Sequence, residues 1–133
     1  MLTINYSSNW NNKPLNDYHT HIFKPGVNKP GDVVQETFKG DPVNICVVEK
    51  VRSFKLKELG EFTAYLDAGY SKESIQKLLS DNFHRNYVAE HGGGEAVFDL
   101  ILLKVTERIR GTFHLLLSDA MKRYDKLIPE TVA

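Results

Sequence analysis

The chain has 133 residues, a length that predicts one domain with a sizeable hydrophobic core. Its composition, 41% hydrophobic and 26% charged, is that of a soluble globular protein. Lys and Arg number 17, as do Asp and Glu, so the net charge of zero argues against bulk polyanion binding and leaves only a local basic patch open. The single cysteine excludes an intrachain disulfide, and no apolar run reaches the about 20 residues that span a bilayer. With no signal-peptide pattern at the start, these features predict a cytoplasmic protein without a membrane partner.

An antiparallel hairpin is the strongest structural prediction for the first half of the chain. In the turn KPGD at residues 29–32, Pro presets φ and Gly admits positive φ. Two β-branched strands follow at residues 33–38 and 43–52, separated by a Gly-Asp-Pro turn. Residues 18–23, YHTHIF, predict an earlier strand. Residues 1–17 predict an irregular arm with one short strand near its start.

The second half of the chain predicts helices around one apolar strand. Apolar residues recur at helical spacing in three segments, and Ser71 suits the N-cap of the second. Residues 96–105 are apolar on both faces, which predicts an inner strand of the sheet. Residues 84–95, with three consecutive glycines, predict a loop. The predicted helices cover residues 58–68, 72–84 and 106–128.

These elements predict an α+β fold, a small β-barrel with flanking helices and a long C-terminal amphipathic helix. We assign residues 1–17 to the arm, residues 18–105 to the barrel domain and residues 106–133 to a helical extension. The apolar stripe of that extension needs a surface to cover it. The flank of the barrel or a second copy of the chain, bound through residues 106–128, could supply that surface.

Four segments of the chain resemble the ASCH domain family, whose members have a PUA-like β-barrel fold. The segments are Tyr18–Phe23, Lys29–Val34, Cys46–Val51 and Phe98–Leu103. The resemblance implies a cleft between barrel and helices that binds RNA or a nucleoside-like ligand. Some members hydrolyse acylated cytidine with a Lys and a Thr three residues apart and a more distant Glu. Carried onto this chain, the first two positions fall near Tyr18 and near His21 or Thr20, and no lysine stands there.

Glu49 is the candidate catalytic residue. Under strict strand alternation its side chain shares a face with Val43, Ile45, Val47 and Val51. Loss of hydration among these apolar neighbours raises the pKa of a carboxyl group and suits it to act as a general acid or base. The alternative is a twist or bulge that leaves Glu49 in solvent or paired with a cation.

His19 and His21 are two residues apart, so both rings point to the same side of a strand. A zinc site needs three or four protein ligands, and the sequence shows no third one nearby, so no metal site is predicted. We predict ligand binding by these histidines together with Thr20 and Lys24, and Lys24 could replace the missing catalytic lysine. A solvent-facing strand edge is the alternative.

A second group of candidate ligand-binding residues follows the second predicted helix. His84, Arg85 and Tyr87 offer a stacking ring and hydrogen-bond donors, which suit an unstacked base. A helix C-terminus that attracts cations is the alternative. Arg52, on the strand face opposite Glu49, could bind phosphate or remain a solvated charge. Cys46 lies in an apolar strand, which indicates a core residue rather than a nucleophile.

Three functions follow from these observations, in order of preference. The first is a PUA-like module that binds RNA or a nucleoside-like ligand. The second is a nucleoside amidohydrolase that uses the same cleft, with Glu49 as base. The third is an interaction protein that dimerises through residues 106–128. None of the three requires a cofactor, and none is predicted.

Overall fold

The structure, a computed structural model, describes residues 2–6, 10–68, 71–80, 84–109 and 114–127. The five strands of its sheet are β1 (Leu2–Tyr6), β2 (Tyr18–Phe23), β3 (Val33–Phe38), β4 (Asp41–Lys55) and β5 (Val97–Arg108). The described α-helices are α1 (Glu61–Ala68), α2 (Lys72–Leu78), α3 (Arg85–Glu90) and α4 (His114–Leu127). The strands form one mixed sheet in the order β1-β3-β4-β5-β2, which curls into a half-barrel. The α+β class and the barrel-like sheet are therefore as predicted.

β3 and β4 form the predicted antiparallel hairpin. Lys39 and Gly40 join them, and both residues have positive φ, 50° and 88°. A two-residue turn of this kind matches the twist of the flanking strands, and glycine adopts it without steric cost. β1 pairs in parallel with β3, which confirms the short strand near the start of the chain and extends the sheet into the predicted arm.

β5 lies between β4 and β2 and is antiparallel to both, which confirms the predicted inner strand. Its last residues continue this pairing, with Glu107 opposite Ile45 and Arg108 opposite Asn44. The predicted helix start at Thr106 is therefore wrong, because the end of this segment is held in the sheet. Among the described residues the C-terminal helix begins at His114. Residues 110–113 and 128–133 of the predicted helical extension lie outside the described residues.

Two apolar clusters stabilise the fold. One fills the inside of the curled sheet, and the other lies between the sheet and helices α1 to α3. Buried members of the first include Ile4, Val34, Val48, Ile101 and Leu103, and of the second Ile22, Leu56, Ile75, Val88 and Phe98. Val88 belongs to α3, and its burial explains why a helix forms where the sequence predicts a loop. In the parts of the chain that the structure describes, no helix is both long and apolar enough to cross a membrane.

Candidate functional site

The inside of the half-barrel holds a group of buried polar side chains, which we call the interior cluster. Its members are Tyr6, His19, Glu36, Asn44 and Cys46. They come from β1, β2, β3 and β4, so the curl of the sheet brings together residues from both of its edges. β2 and β3 are not neighbours in the sheet, and the cluster connects them across the interior.

Glu36 is the centre of the interior cluster and has no exposed surface. Its Oε2 accepts a hydrogen bond from the Tyr6 hydroxyl at 2.6 Å and lies 2.7 Å from His19 Nε2. Its Oε1 accepts hydrogen bonds from Asn44 Nδ2 at 3.0 Å and from Cys46 Sγ at 3.2 Å. A buried carboxylate is tolerated only when such partners replace its hydration.

The contacts of His19 fix the direction of its ring. Nδ1 lies 3.0 Å from the carbonyl oxygen of Asn16, which can only accept a hydrogen bond, so Nδ1 carries a proton. Nε2 therefore faces Glu36, and the pairing is complete when His19 is protonated and Glu36 is ionised. This arrangement aims one nitrogen of the ring at the carboxylate and holds it there.

The interior cluster perturbs the ionisation of its own groups. Burial raises the pKa of Glu36. Hydrogen bonds and charge from His19, with hydrogen bonds from Tyr6 and Asn44, outweigh this effect and lower the pKa from 4.5 to about 2. Burial, followed by the Glu36 charge, raises the pKa of the Tyr6 hydroxyl and of the Cys46 thiol. The cluster therefore holds one carboxylate charge and keeps the hydroxyl and thiol protonated in the absence of other ligands.

A second polar group, the Asp67 group, lies beside the interior cluster. Lys13 Nζ and the Thr20 hydroxyl both donate to Asp67 Oδ1, at 3.1 Å and 2.8 Å. Lys13 and Asp67 are buried, while Thr20 is half-buried. Lys13 Nζ also lies 5.7 Å from the centre of the Tyr6 ring, so the two groups are in contact. A lysine and a threonine thus meet on one carboxylate.

His21 lies inside the half-barrel next to both groups. Its ring packs edge-on against Tyr6, with 6.0 Å between ring centres, and against Phe23 at 5.2 Å. Burial, and then the positive charge of Lys13, lower the pKa of His21 from 6.5 to about 3. Nδ1 of His21 is buried and has no hydrogen-bond partner among the residues that the structure describes. The ring is therefore neutral at physiological pH.

Four other residues form the Tyr87 surface, where the end of β2 meets α3: Lys24, His84, Tyr87 and His91. The Tyr87 and His91 rings are stacked, with centres 4.2 Å apart and planes 28° apart. Lys24 Nζ lies 5.8 Å from the centre of the Tyr87 ring. Tyr87 and His84 also pack against the buried ring of Phe98, each at 5.3 Å. Burial and the charge of Lys24 lower the pKa of His84.

Glu49 is exposed, which differs from the burial predicted for it. Val48 pairs with Leu103 and Lys50 with the next residue, Leu102, so Glu49 is the extra residue of a β-bulge. A second extra residue in β4 is Val43, which has no partner in β3 between the pairs Glu36–Asn44 and Thr37–Pro42. The two irregularities break the strict alternation that the prediction assumed. The buried residues of β4 are Val43, Asn44, Cys46 and Val48. The catalytic role of Glu49 itself stays a prediction.

The predicted ligand-binding residues do not lie at one site. His19 and His21 point into the half-barrel, so the solvent-facing alternative does not hold, while Thr20 faces α1 on the other side of β2. Arg52 is exposed on β4 opposite Leu100 of β5. Lys24, His84 and Tyr87 meet at the Tyr87 surface, and Arg85 is exposed at the first residue of α3.

The residues at the centres of these groups were not predicted from the sequence: Tyr6, Lys13, Glu36, Asn44, Asp67 and His91. The signal for Glu36 was present, because it shares a strand face with Val34 and Phe38, a carboxylate between apolar neighbours. Glu49 shows the same pattern in β4, and there strict alternation does not hold. No local pattern indicates that Lys13 and Asp67, 54 residues apart, form an ion pair.

The fold places the chain among α+β proteins with a curled, barrel-like sheet. One solved structure with this fold is that of protein EF3133 from Enterococcus faecalis V583, which carries the family label DUF984. The two structures superpose with a TM-score of 0.55 and 12% sequence identity, over 68% of this chain and 61% of EF3133. The chain thus spans less than two thirds of that protein, and the similarity shows a shared fold. No family model and no curated protein matches the chain.

Proposed function

We propose that the protein binds a nucleobase, in single-stranded RNA or in a free nucleoside-like ligand, on the Tyr87 surface. The observation that carries the proposal is the stacked pair of Tyr87 and His91 with the Lys24 ammonium beside it. An aromatic face next to a cation is the arrangement that binds an unstacked base and its phosphate. The surface lies between the half-barrel and α3, where the ASCH resemblance implies a ligand cleft.

Neighbouring groups add polar contacts to this surface. Lys24, His91 and Arg85 are exposed, and Tyr87 is half-buried. The lowered pKa of His84 keeps its ring neutral at physiological pH, and a neutral imidazole offers both a donor and an acceptor. Within the described parts of the chain, its Nδ1 has no hydrogen-bond partner. The surface therefore combines stacking, hydrogen bonding and local positive charge within a chain of zero net charge.

The test compares two tyrosines that each lie beside a lysine. Tyr87→Leu removes the stacking ring, whereas Tyr18→Leu removes an exposed ring that lies 5.9 Å from Lys104 Nζ on another part of the surface. Stacking contributes about 1–3 kcal/mol per base, so Tyr87→Leu should weaken binding roughly 5- to 150-fold, and Tyr18→Leu should leave it unchanged. Fluorescence anisotropy of a labelled mixed-sequence RNA, and calorimetry with free nucleosides, measure the two ligand classes separately.

Two further variants distinguish the contribution of the Tyr87 ring from that of its hydrogen bond and of the Lys24 charge. The Tyr87 hydroxyl donates to the carbonyl oxygen of Val97, so Tyr87→Phe removes that hydrogen bond but keeps the ring, and should retain binding. Lys24→Gln should reduce the slope of the logarithm of the RNA binding constant against the logarithm of salt concentration by about 1. The proposal is wrong if the unmodified protein shows no saturable binding to either ligand, or if the two Leu variants behave alike.

We infer a second candidate, hydrolysis of an acylated nucleoside, from the Asp67 group. The ASCH resemblance implies a lysine and a threonine, and Lys13 supplies near Thr20 the lysine that is missing from the strand. In the proposed reaction Asp67 accepts the hydroxyl proton as Thr20 attacks the acyl carbon, and the Lys13 ammonium stabilises the negative oxygen that forms. The proton passes from Asp67 to the nucleoside amine as its bond to the acyl carbon breaks. Water then hydrolyses the Thr20 ester and restores the hydroxyl. Lys24, the replacement predicted from the sequence, lies instead beside Tyr87.

The hydrolase candidate is tested with a panel of acylated cytidines. Thr20→Val removes the hydroxyl at constant shape and should reduce turnover at least 100-fold, while Thr20→Ser should retain part of it. Thr106→Val, at an exposed threonine whose hydroxyl donates to Ile45, is the control. Glu49→Gln belongs in the same series, since a loss there would assign the base to Glu49. Absence of turnover by the unmodified protein excludes this candidate.

Residues 106–128 also remain our proposed homodimer contact. Within this segment, α4 leaves Leu117 46% and Met121 66% exposed, and both are large apolar side chains. Exposed apolar groups one helical turn apart offer a surface that a second copy could cover.

A further inference from the structure

Three side chains of the interior cluster have a metal-binding composition. His19, Glu36 and Cys46 each present one potential ligand atom, and these atoms all lie within 4.8 Å of one another. The residues come from β2, β3 and β4. We propose that they bind a structural zinc ion inside the half-barrel.

The donor set is the reason for choosing zinc. Imidazole nitrogen, thiolate sulfur and carboxylate oxygen are the usual zinc ligands, whereas magnesium and calcium prefer oxygen alone. Cys46 is the only cysteine in the chain, and it points at the same carboxylate as His19. A thiol and an imidazole on one buried carboxylate form a soft, anionic site for a divalent cation.

The surroundings hold these ligands as metal sites commonly do. The Nδ1 proton of His19 is bound by the Asn16 carbonyl, which leaves Nε2 directed into the cluster. Hydrogen bonds from Asn44 and Tyr6 orient the Glu36 carboxylate. Partners of this kind fix the direction of a ligand and sustain metal affinity. The Tyr6 hydroxyl, 2.6 Å from Glu36 Oε2, also offers an oxygen for a fourth position.

Hydrogen-bond distances separate the potential ligand atoms in the structure. His19 Nε2 lies 2.7 Å from Glu36 Oε2, and Cys46 Sγ lies 3.2 Å from Oε1. Ligand atoms around a tetrahedral zinc ion are about 3.3–3.7 Å apart, so His19 Nε2 and Cys46 Sγ would each move slightly away from Glu36 as the ion binds. One proton leaves the Cys46 thiol and one leaves the His19–Glu36 pair as the dication enters.

The position of the cluster indicates a structural role for the ion. His19, Glu36 and Cys46 are buried, and none offers an open position to solvent. In the sheet order β1-β3-β4-β5-β2, no backbone hydrogen bonds connect β2 to the β3–β4 hairpin. A metal bound by His19 of β2 and by Glu36 and Cys46 of the β3–β4 hairpin would link these strands across the interior of the half-barrel.

Cobalt(II) tests the site, because it replaces zinc and reports its ligands by absorption. The full chain is refolded from denaturant with cobalt chloride, and in parallel the folded chain is titrated, since the buried site can require opening to load. We expect one bound ion per chain, tetrahedral visible bands and a thiolate charge-transfer band in the near ultraviolet. Zinc should displace cobalt and raise the Tm.

Two variants test whether the cobalt absorption bands and the rise in Tm come from the interior cluster. Cys46→Ser keeps a hydroxyl donor to Glu36, and should abolish the charge-transfer band and the rise in Tm with zinc. His91→Gln, at an exposed histidine, should change neither. The proposal is overturned if the unmodified chain shows no thiolate band by either route, which would leave the cluster a hydrogen-bond network only. It is equally overturned if the band survives in Cys46→Ser or disappears in His91→Gln.

Discussion

Glu36 shows how a single carboxylate organises the inside of this sheet. Four donors from three other strands converge on its two oxygens, so each lone-pair direction has a partner. Charged hydrogen bonds of this kind are stronger than neutral ones, but they compensate for a large loss of hydration. Removing any one partner is therefore more costly than the hydrogen bond alone suggests.

Glu36→Gln should lower the free energy of unfolding by about 3–5 kcal/mol in the metal-free protein. The amide removes the charge opposite His19 and sets an NH2 group against existing donors. Glu49→Gln, an identical change at an exposed position of the same hairpin, should alter stability by no more than about 0.5 kcal/mol. Urea denaturation followed by circular dichroism measures both, and similar values for the two variants would contradict the central role of Glu36.

His21 should make stability fall as pH falls. Its pKa is 6.5 when unfolded and about 3 when folded, so between these values the unfolded chain binds one more proton than the folded chain. One proton corresponds to a slope of about 1.4 kcal/mol per pH unit, with stability rising with pH. His21→Phe keeps a ring against Tyr6 and Phe23 but cannot titrate.

The measurement is the free energy of unfolding in urea at steps from pH 7 to pH 3.5, with a chelator present. The free energy of unfolding of the unmodified protein should rise with pH more steeply than that of His21→Phe, by about 1.4 kcal/mol per pH unit. Parallel curves over this range would show that the folded state accommodates a charged His21.

At the scale of the elements, the tight turn between β3 and β4 sets the register of the hairpin. Lys39 holds a positive φ of 50°, which is unusual for a residue with a side chain, and the next residue is Gly40. The Lys39 amide also donates to the Tyr6 carbonyl at 2.8 Å, which ties β1 to the turn. The turn therefore sets the relative positions of β1, β3 and β4, at the cost of an unfavourable backbone conformation at Lys39.

Lys39→Asn should stabilise the protein by about 0.5–1 kcal/mol. Asparagine tolerates positive φ better than lysine, and Asn-Gly is the preferred pair for this turn. The gain is reduced by loss of the contact between Lys39 Nζ and the Phe38 ring, 5.3 Å apart. Lys50→Asn, at an exposed strand position, should give no gain. Thermal unfolding of both variants measures the difference, and a lower Tm for Lys39→Asn would contradict the strain argument.

For the whole molecule, local patterns predicted the elements, and long-range pairing decided the site. The hairpin, the inner strand β5 and the Ser71 cap, whose hydroxyl accepts from the Ser74 amide, follow from neighbouring residues. The bulge at Glu49 does not, because it depends on how β5 pairs with β4. The sequence could not show that the sheet curls and brings β2 near β3, so it missed the contact of His19 with Glu36.

Dimerisation through residues 106–128 stays a prediction, and it concerns the whole molecule. If a second copy covers α4, Leu117→Lys with Met121→Lys should convert a dimer of about 30 kDa into a monomer of 15.2 kDa. Buried lysines without partners would oppose association strongly. Phe62→Lys, at the 78% exposed phenylalanine of α1, removes a comparable apolar group elsewhere and should leave the dimer intact.

Light scattering after size exclusion, over a range of protein concentrations, gives the mass of each variant. Because Leu117 and Met121 are exposed in the single chain, their replacement should leave the Tm of a monomer unchanged. A lower Tm in the doubly substituted chain, without any change in mass, would mean that α4 is covered by its own molecule. A monomeric mass for the unmodified chain at every concentration would exclude the homodimer.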